Sequence, residues 1–272
     1  MAMAAVSASD VASNAVAVRN RDGRGAFVLT CDHASAHIPP EYAGLGLPAT
    51  ELQRHIAWDI GALGLAEQLS GLLDAPLLHP TVSRLLLDVN RDPGAHDSIA
   101  ITSEDTPIHG NHAIDADERL RRHDWIYAPY HGEIAAVMAA RTAAQLPTAM
   151  ISIHSFTPVF KSVERRWQVG VLSHRDRRIA DLLLRALGDD PGLAVGDNQP
   201  YAPHDGVYHT LERHAEANGL PCVMLEIRND LIRDTPGQLS WAKRLAPLLL
   251  RALEDVHAAE GRSGIVNHYP PL

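Results

Sequence analysis

Apolar residues recur along this chain with two different periods. Residues 26–31 form a short apolar run after Gly23 and Gly25, the pattern of a buried strand. Residues 77–79, 85–89, 149–154, 168–172, 193–195 and 221–227 read the same way. Between these runs the spacing lengthens to three or four residues. Over 51–73, Leu52, Ile56, Ile60, Leu63, Ala66 and Leu69 predict one helix with a single buried face. Further helices are predicted over 117–123, 125–145, 177–187, 207–218 and 237–259, with Gly188 and Gly219 as stops. Strands and helices alternate. That order predicts an α/β fold, a three-layer sandwich around a mainly parallel or mixed β-sheet. Residues 92–115 follow neither period, and a loop that long inside a domain is usually functional.

The termini read differently. Residues 1–20 are rich in Ala, Ser and Val, but Ser7, Ser9, Asp10, Ser13 and Asn14 break the apolar run, and the first basic residue is Arg19. The stretch does not read as a secretory signal. A flexible arm is expected over 1–20, with at most a short strand at its end, then one α/β hydrolase domain over 21–260. The tail 261–272, ending in Pro-Pro, reads as an arm over the surface or a contact in a homodimer.

Composition narrows the function. The net charge of −9 argues against nucleic acid as a partner, because phosphate contacts require a basic surface. No apolar run approaches the ~20 residues of a membrane helix. Two cysteines, Cys31 and Cys222, are too few for a disulfide framework and read as buried packing in a reducing, cytoplasmic setting. The sixteen histidines are the first hint of site chemistry.

In parallel sheets ligands bind beyond the carboxyl ends of the strands. Here those ends carry His33, His154 and Glu226, with Ser83-Arg84 and Asn90-Arg91 bounding a further predicted strand. Each alone has a structural explanation. Together they suit a hydrolytic zinc site, which takes imidazole and carboxylate ligands and keeps one position open. His33 and His154 would supply two nitrogens. Asp59, among Ile56, Ile60 and Leu63, is the preferred third ligand; Asp32 is the alternative, though strand alternation points it away from His33. Glu226 lies inside an apolar strand, where an unpaired carboxylate is costly, and could serve as proton acceptor; alternatively it pairs with Arg228 or another arginine. Arg84 and Arg91 could grip a substrate carboxylate bidentately, with an amide contact from Asn90, or form ion pairs with Asp88 or Asp92. Arg119 and Arg122 read as surface. Tyr201 could line the pocket. His204, His209 and His214 recur every five residues, so they share no helix face.

The ordered series Cys31-Asp32-His33-Ala34-Ser35, Asp59-Ile60-Gly61, Ser83-Arg84 to Asn90-Arg91, Pro129-Tyr130-His131, His154-Ser155-Phe156-Thr157-Pro158, Asn198-Gln199-Pro200-Tyr201 and Leu225-Glu226-Ile227-Arg228-Asn229-Asp230-Leu231 resembles the N-formylglutamate amidohydrolase family. That family is similar in fold to the zinc carboxypeptidases and aspartoacylases. The resemblance implies a Zn2+ enzyme that hydrolyses N-formyl-L-glutamate to formate and L-glutamate, a step of histidine degradation. It implies that His33 and His154 are ligands, that Asn90 and Arg91 bind the substrate carboxylate, and that Glu226 is the base. The carboxypeptidase-like pattern has a Glu three residues after the first His; here that position is Ala36, so the second ligand comes from elsewhere. Rival readings are a metallo-amidohydrolase or carboxypeptidase-like enzyme for another N-acyl amino acid or small peptide, a binding module without catalysis, and an interaction protein using loop 92–115.

Overall fold

A computed structural model describes residues 15–261. In chain order its regular elements are strands β1 (Val16–Arg19) and β2 (Phe27–Thr30), helices α1 (Ala49–Leu52) and α2 (Ala62–Leu72), and strand β3 (Leu77–Pro80). The hairpin β4 (Thr102–Ser103) and β5 (Thr106–Pro107) precedes helices α3 (Ala116–Arg122) and α4 (Ala128–Ala143). Strand β6 (Ala149–Phe156) leads into the hairpin β7 (Val159–Phe160) and β8 (Val163–Glu164), then strand β9 (Val169–Leu172), helix α5 (Arg178–Gly188) and strand β10 (Val195–Asp197). Helix α6 (His209–His214), strand β11 (Cys222–Arg228) and helix α7 (Thr235–Ala259) complete the fold.

Seven strands form one mixed sheet in the order β1-β3-β2-β6-β11-β9-β10. The central strands β3, β2, β6 and β11 run parallel; β1 is antiparallel to β3, and β9 to β11. Strand alternation feeds two separate apolar layers. Phe27, Leu29, Ile151, Ile153, Val223 and Leu225 pack on one face with Leu65, Leu69, Leu183, Trp241 and Leu245, from α2, α5 and α7. Val28, Met150 and Met224 pack on the other with Tyr130, Ile134 and Leu211, from α4 and α6. This is the three-layer arrangement the alternation predicts.

On the second face the strands turn polar towards their carboxyl ends. Val28 gives way to Thr30 and Asp32, Met150 to Ser152 and His154, and Met224 to Glu226, all buried. The apolar middle anchors the sheet, and the polar ends create the site.

Three predicted elements differ. The helix over 51–73 is broken: α1 ends at Leu52 and α2 starts at Ala62. Between them Gly61 takes φ 82°, and a Cβ there would lie 2.1 Å from the Ile232 carbonyl oxygen. Residues 85–89 form turns, not a strand. Three of their carbonyls are satisfied by side chains and not by a neighbouring strand: Asn111 Nδ2 donates to Leu85 O (2.8 Å), Arg122 Nη1 to Leu86 O (3.0 Å) and His131 Nε2 to Val89 O (2.9 Å). Arg122, expected on the surface, is therefore among the most deeply buried side chains. The helix over 207–218 shortens to α6 and a 3-10 turn.

The short strand allowed at the end of the N-terminal arm is β1. The rest of that arm, 1–14, and the tail 262–272 lie outside the described residues. No described helix is long and apolar enough to cross a membrane.

Candidate active site

A cleft of about 290 Å³ opens at the carboxyl ends of β2, β6 and β11. Among the residues lining it are His33, Asp59, Arg84, Asp88, His154 and Glu226. His33 follows β2, and His154 lies near the end of β6. Asp59 sits in the break between α1 and α2, not on a helix. Its backbone N–H donates to the His33 carbonyl (2.9 Å), which ties the break to the end of β2.

The two imidazoles turn their Nδ1 atoms towards one carboxylate oxygen. Asp59 Oδ2 is 2.8 Å from His154 Nδ1 and 3.3 Å from His33 Nδ1. His33, Asp59 and His154 each offer a ligand atom, all within 4.8 Å of one another. The opposite nitrogens are engaged. His33 Nε2 donates to Asp88 Oδ1 at 2.8 Å, and His154 Nε2 donates to Asp32 Oδ2 at 2.9 Å. Ionised carboxylates only accept, so each Nε2 carries the proton. In a neutral ring Nδ1 then holds a lone pair facing a carboxylate oxygen. Such a triangle of acceptors favours positive charge beside it; Arg84 Nη1 approaches one edge, 3.2 Å from His33 Nδ1 and 3.7 Å from Asp59 Oδ1. Carboxylates that orient metal-binding imidazoles from behind are a recurrent feature of metal sites.

The electrostatics agree. Burial would raise the Asp59 pKa, but the His33 and His154 imidazoles outweigh it and hold the group below the ordinary carboxylate range. Asp88 is likewise lowered despite burial, by Arg84 and His33. Burial opposes charge on His154, yet its bonds to Asp32 and Asp59 raise it well above an ordinary histidine. Burial and Arg84 oppose charge on His33; Asp88 and Asp59 prevail, and its pKa is also raised. In the absence of an ion, these carboxylates favour the protonated form of both rings. The donor set of two imidazoles and a carboxylate suits a divalent cation, whose bonds of about 2.1 Å set tetrahedral ligands about 3.4 Å apart.

Glu226 stands beside this trio. It is in register with His154 across β6 and β11 and with Gly170 across β11 and β9. Its Oε2 is buried and has no hydrogen-bond partner among the described residues. Arg228, the expected alternative partner, pairs with Asp230. Burial pushes the Glu226 pKa up to about 7 against the opposing charge of His154.

The other expected residues line the same cleft with different degrees of freedom. Arg84 donates to Asp88 (2.5 Å), and its Nη1 lies 3.2 Å from His33 Nδ1. The Asn90 amide is occupied by Val207 O and the Thr210 N–H. Arg91 donates through Nε to Asp97 (3.0 Å) and through Nη1 to Gly206 O (2.6 Å). Tyr201 accepts from Arg165 at 3.0 Å. Asp32, the alternative ligand, stands behind His154, where Tyr130, Ser152 and Thr210 also donate to it. Part of loop 92–115 forms a wall: residues 102–104 line the cleft, fixed by Arg54 bonds to Glu104 (2.6 Å) and Thr106 (3.0 Å).

Sequence reasoning missed the outer roles of Asp32 and Asp88. Asp88 carried a readable signal, since it interrupts an apolar run as Glu226 does. Asn111 and Arg122, which brace residues 85–89, carried none.

Comparison with known proteins places these features in a family. The model of the N-formylglutamate amidohydrolase family matches residues 25–233, a span that contains the whole site. Among solved structures, a gene product of Agrobacterium tumefaciens is 41% identical, with a TM-score of 0.88 over 90% of this chain and 97% of that one. The N-formylglutamate amidohydrolase from Ralstonia eutropha is 18% identical, with a TM-score of 0.64 over 90% of this chain and 99% of that one, a likeness of fold. Curated proteins give no match. With the family match spanning the cleft, its trio and Glu226, the chain belongs to the N-formylglutamate amidohydrolase family and is an amide-hydrolysing enzyme.

Proposed function

We propose that the protein hydrolyses the N-acyl bond of an N-acylated acidic amino acid, foremost N-formyl-L-glutamate, giving formate and L-glutamate. The observation that carries this reading is the pairing of an acceptor triangle with an unpartnered, buried Glu226 in one cleft. We assign Zn2+ to His33, Asp59 and His154, another divalent metal being the alternative. A cation there would supply Lewis acidity for the acyl carbonyl and the attacking water.

The protein's own groups do the rest. Glu226, whose Oε2 has no partner among the described residues, takes a proton as water adds to the acyl carbon. It returns that proton to the amide nitrogen as the C–N bond breaks. Asp88 and Asp32 keep both imidazoles oriented through Nε2. Arg91 Nη2, which no described residue engages, is assigned to the substrate's α-carboxylate, with Asn90 shaping the turn that presents it. Arg84 lines the cleft beside the trio, where its charge favours an anionic substrate; Tyr201 contributes a hydroxyl on the cleft wall.

The test is formate release from N-formyl-L-glutamate by the purified protein, with and without chelator. Turnover is expected only with metal present. Turnover undiminished after complete metal removal would reject the cation.

A further inference from the structure

Arg165 stands out among the cationic groups near the cleft. Arg84 is paired with Asp88, Arg91 with Asp97, and Arg54 with Glu51 and Glu104. Arg165 is only 9% exposed, and no described carboxylate lies within ion-pair distance of it. A buried guanidinium without an anion is costly. Three aromatic rings offset part of that cost. The Arg165 guanidinium carbon lies 4.5 Å from the Phe160 ring centroid, 4.6 Å from that of Tyr201 and 5.8 Å from that of Phe156. All three rings line the cleft.

The arrangement is fixed on both sides. The Arg165 N–H donates to Pro158 O (2.8 Å), closing the base of the β7–β8 hairpin that carries Phe160. Tyr201 is delivered by the 198–201 segment, which crosses β9 at Gly170; a Cβ there would lie 2.0 Å from Gln199 O. Arg165 Nη1 donates to Tyr201 Oη at 3.0 Å. The hydroxyl oxygen is thus used as an acceptor, and its own proton remains available to a ligand in the cleft. A tyrosine donor backed by a buried cation that forms no direct ion pair among the described residues suits an anionic acceptor such as a carboxylate.

We propose that Tyr201 and Arg165 together read the side-chain carboxylate of the substrate, so that Arg165 sets selectivity for an acidic over a neutral N-acyl amino acid. The proposal rests on the N-acyl amino acid reading above. Tyr201 makes the contact, and Arg165 is a positioning residue that supplies its charge from behind.

The test compares N-formyl-L-glutamate with N-formyl-L-glutamine, which differ only in that carboxylate. Arg165→Met is expected to lower kcat/KM for the glutamate substrate about 100-fold, mainly through KM, and to leave the glutamine substrate within about threefold. Arg165→Lys should recover part of the preference. Tyr201→Phe, which leaves the packing intact, should also erode it. Equal losses on both substrates in folded Arg165→Met and Tyr201→Phe would overturn the proposal and make Arg165 a brace for the hairpin. Binding measured calorimetrically in Glu226→Gln separates the two readings. Preferential binding of the glutamate ligand that vanishes in Glu226→Gln/Arg165→Met supports the selectivity pair even if the wild type releases no formate, in which case only the hydrolytic reading fails.

Discussion

The protein buries two histidine clusters on the same side of its sheet, and their electrostatics are opposite. In the first, His33 and His154 are held between Asp32, Asp59 and Asp88, which raise both pKa values despite burial. In the second, His131 and His214 stack on each other with ring centroids 5.1 Å apart, beside His209. His131 Nε2 donates to Val89 O (2.9 Å), so its Nδ1 accepts from His214 Nε2 at 2.8 Å. Burial, with the neighbouring ring adding to it, lowers His131 to about 3; burial with Arg213 lowers His214 to about 4. The same residue type is thus biased towards positive charge in one place and towards neutrality in the other. The carboxylate behind each ring, not the histidine itself, makes the difference.

Variants can break that contrast in graded steps. The largest effect is expected at the base. Glu226→Gln should lower kcat by about 100- to 10,000-fold while the protein still binds metal, checked by formate release and elemental analysis. Next comes the carboxylate behind His154. Asp32→Asn should weaken metal affinity by about 10- to 100-fold, whereas His214→Phe should leave it unchanged, both measured by competition with a chromogenic chelator.

A stability–pH profile sharpens the comparison, because the two clusters act with opposite sign. His131 and His214 have folded pKa values of about 3 and about 4, below the unfolded value of about 6.5. Their contribution is complete above about pH 6.5 and is lost as the pH falls towards those values, because the unfolded chain binds more protons. The two histidines of the metal-free trio behave in reverse, while Asp59, with its lowered pKa, adds to the acidic limb. The raised histidines favour the fold below about pH 6.5, and that gain is lost as the pH rises through their folded values. Urea unfolding of metal-free protein should show both limbs, and His214→Phe should flatten only the acidic one. For the same reason, adding Zn2+ near neutral pH should release protons from the trio, measurable as a buffer-dependent heat. The smallest effect is structural. His131→Ala should cost about 1–3 kcal/mol of stability through the orphaned Val89 carbonyl, read as a lowered Tm.

Much of this was legible in the chain, for identifiable reasons. Short apolar runs marked β2, β6 and β11, and the polar residues at their ends located the cleft. Glu226 announced itself as a carboxylate in an apolar strand. Asp59 was legible by the same logic, although its backbone was misread. The apolar spacing of 51–73 continues across a break that only Gly61 and its contact with Ile232 require, and that break is what carries Asp59 to the imidazoles. The apolar run 85–89 looked like a strand because hydrophobicity alone does not tell where backbone bonds go. Asn111 and Arg122 supply them from distant positions that local pattern cannot connect. Arg165 was invisible for a similar reason: its lack of a carboxylate partner is a property of the fold.

The central claim is that His33, Asp59 and His154 hold one divalent cation on which turnover depends. Its most direct test is to strip the protein of metal and follow formate release from N-formyl-L-glutamate during titration with Zn2+. Turnover should start from zero and reach its plateau at one equivalent in the wild type, with no recovery in Asp59→Ala. Full turnover before any metal is added, or normal recovery without the Asp59 carboxylate, would contradict it.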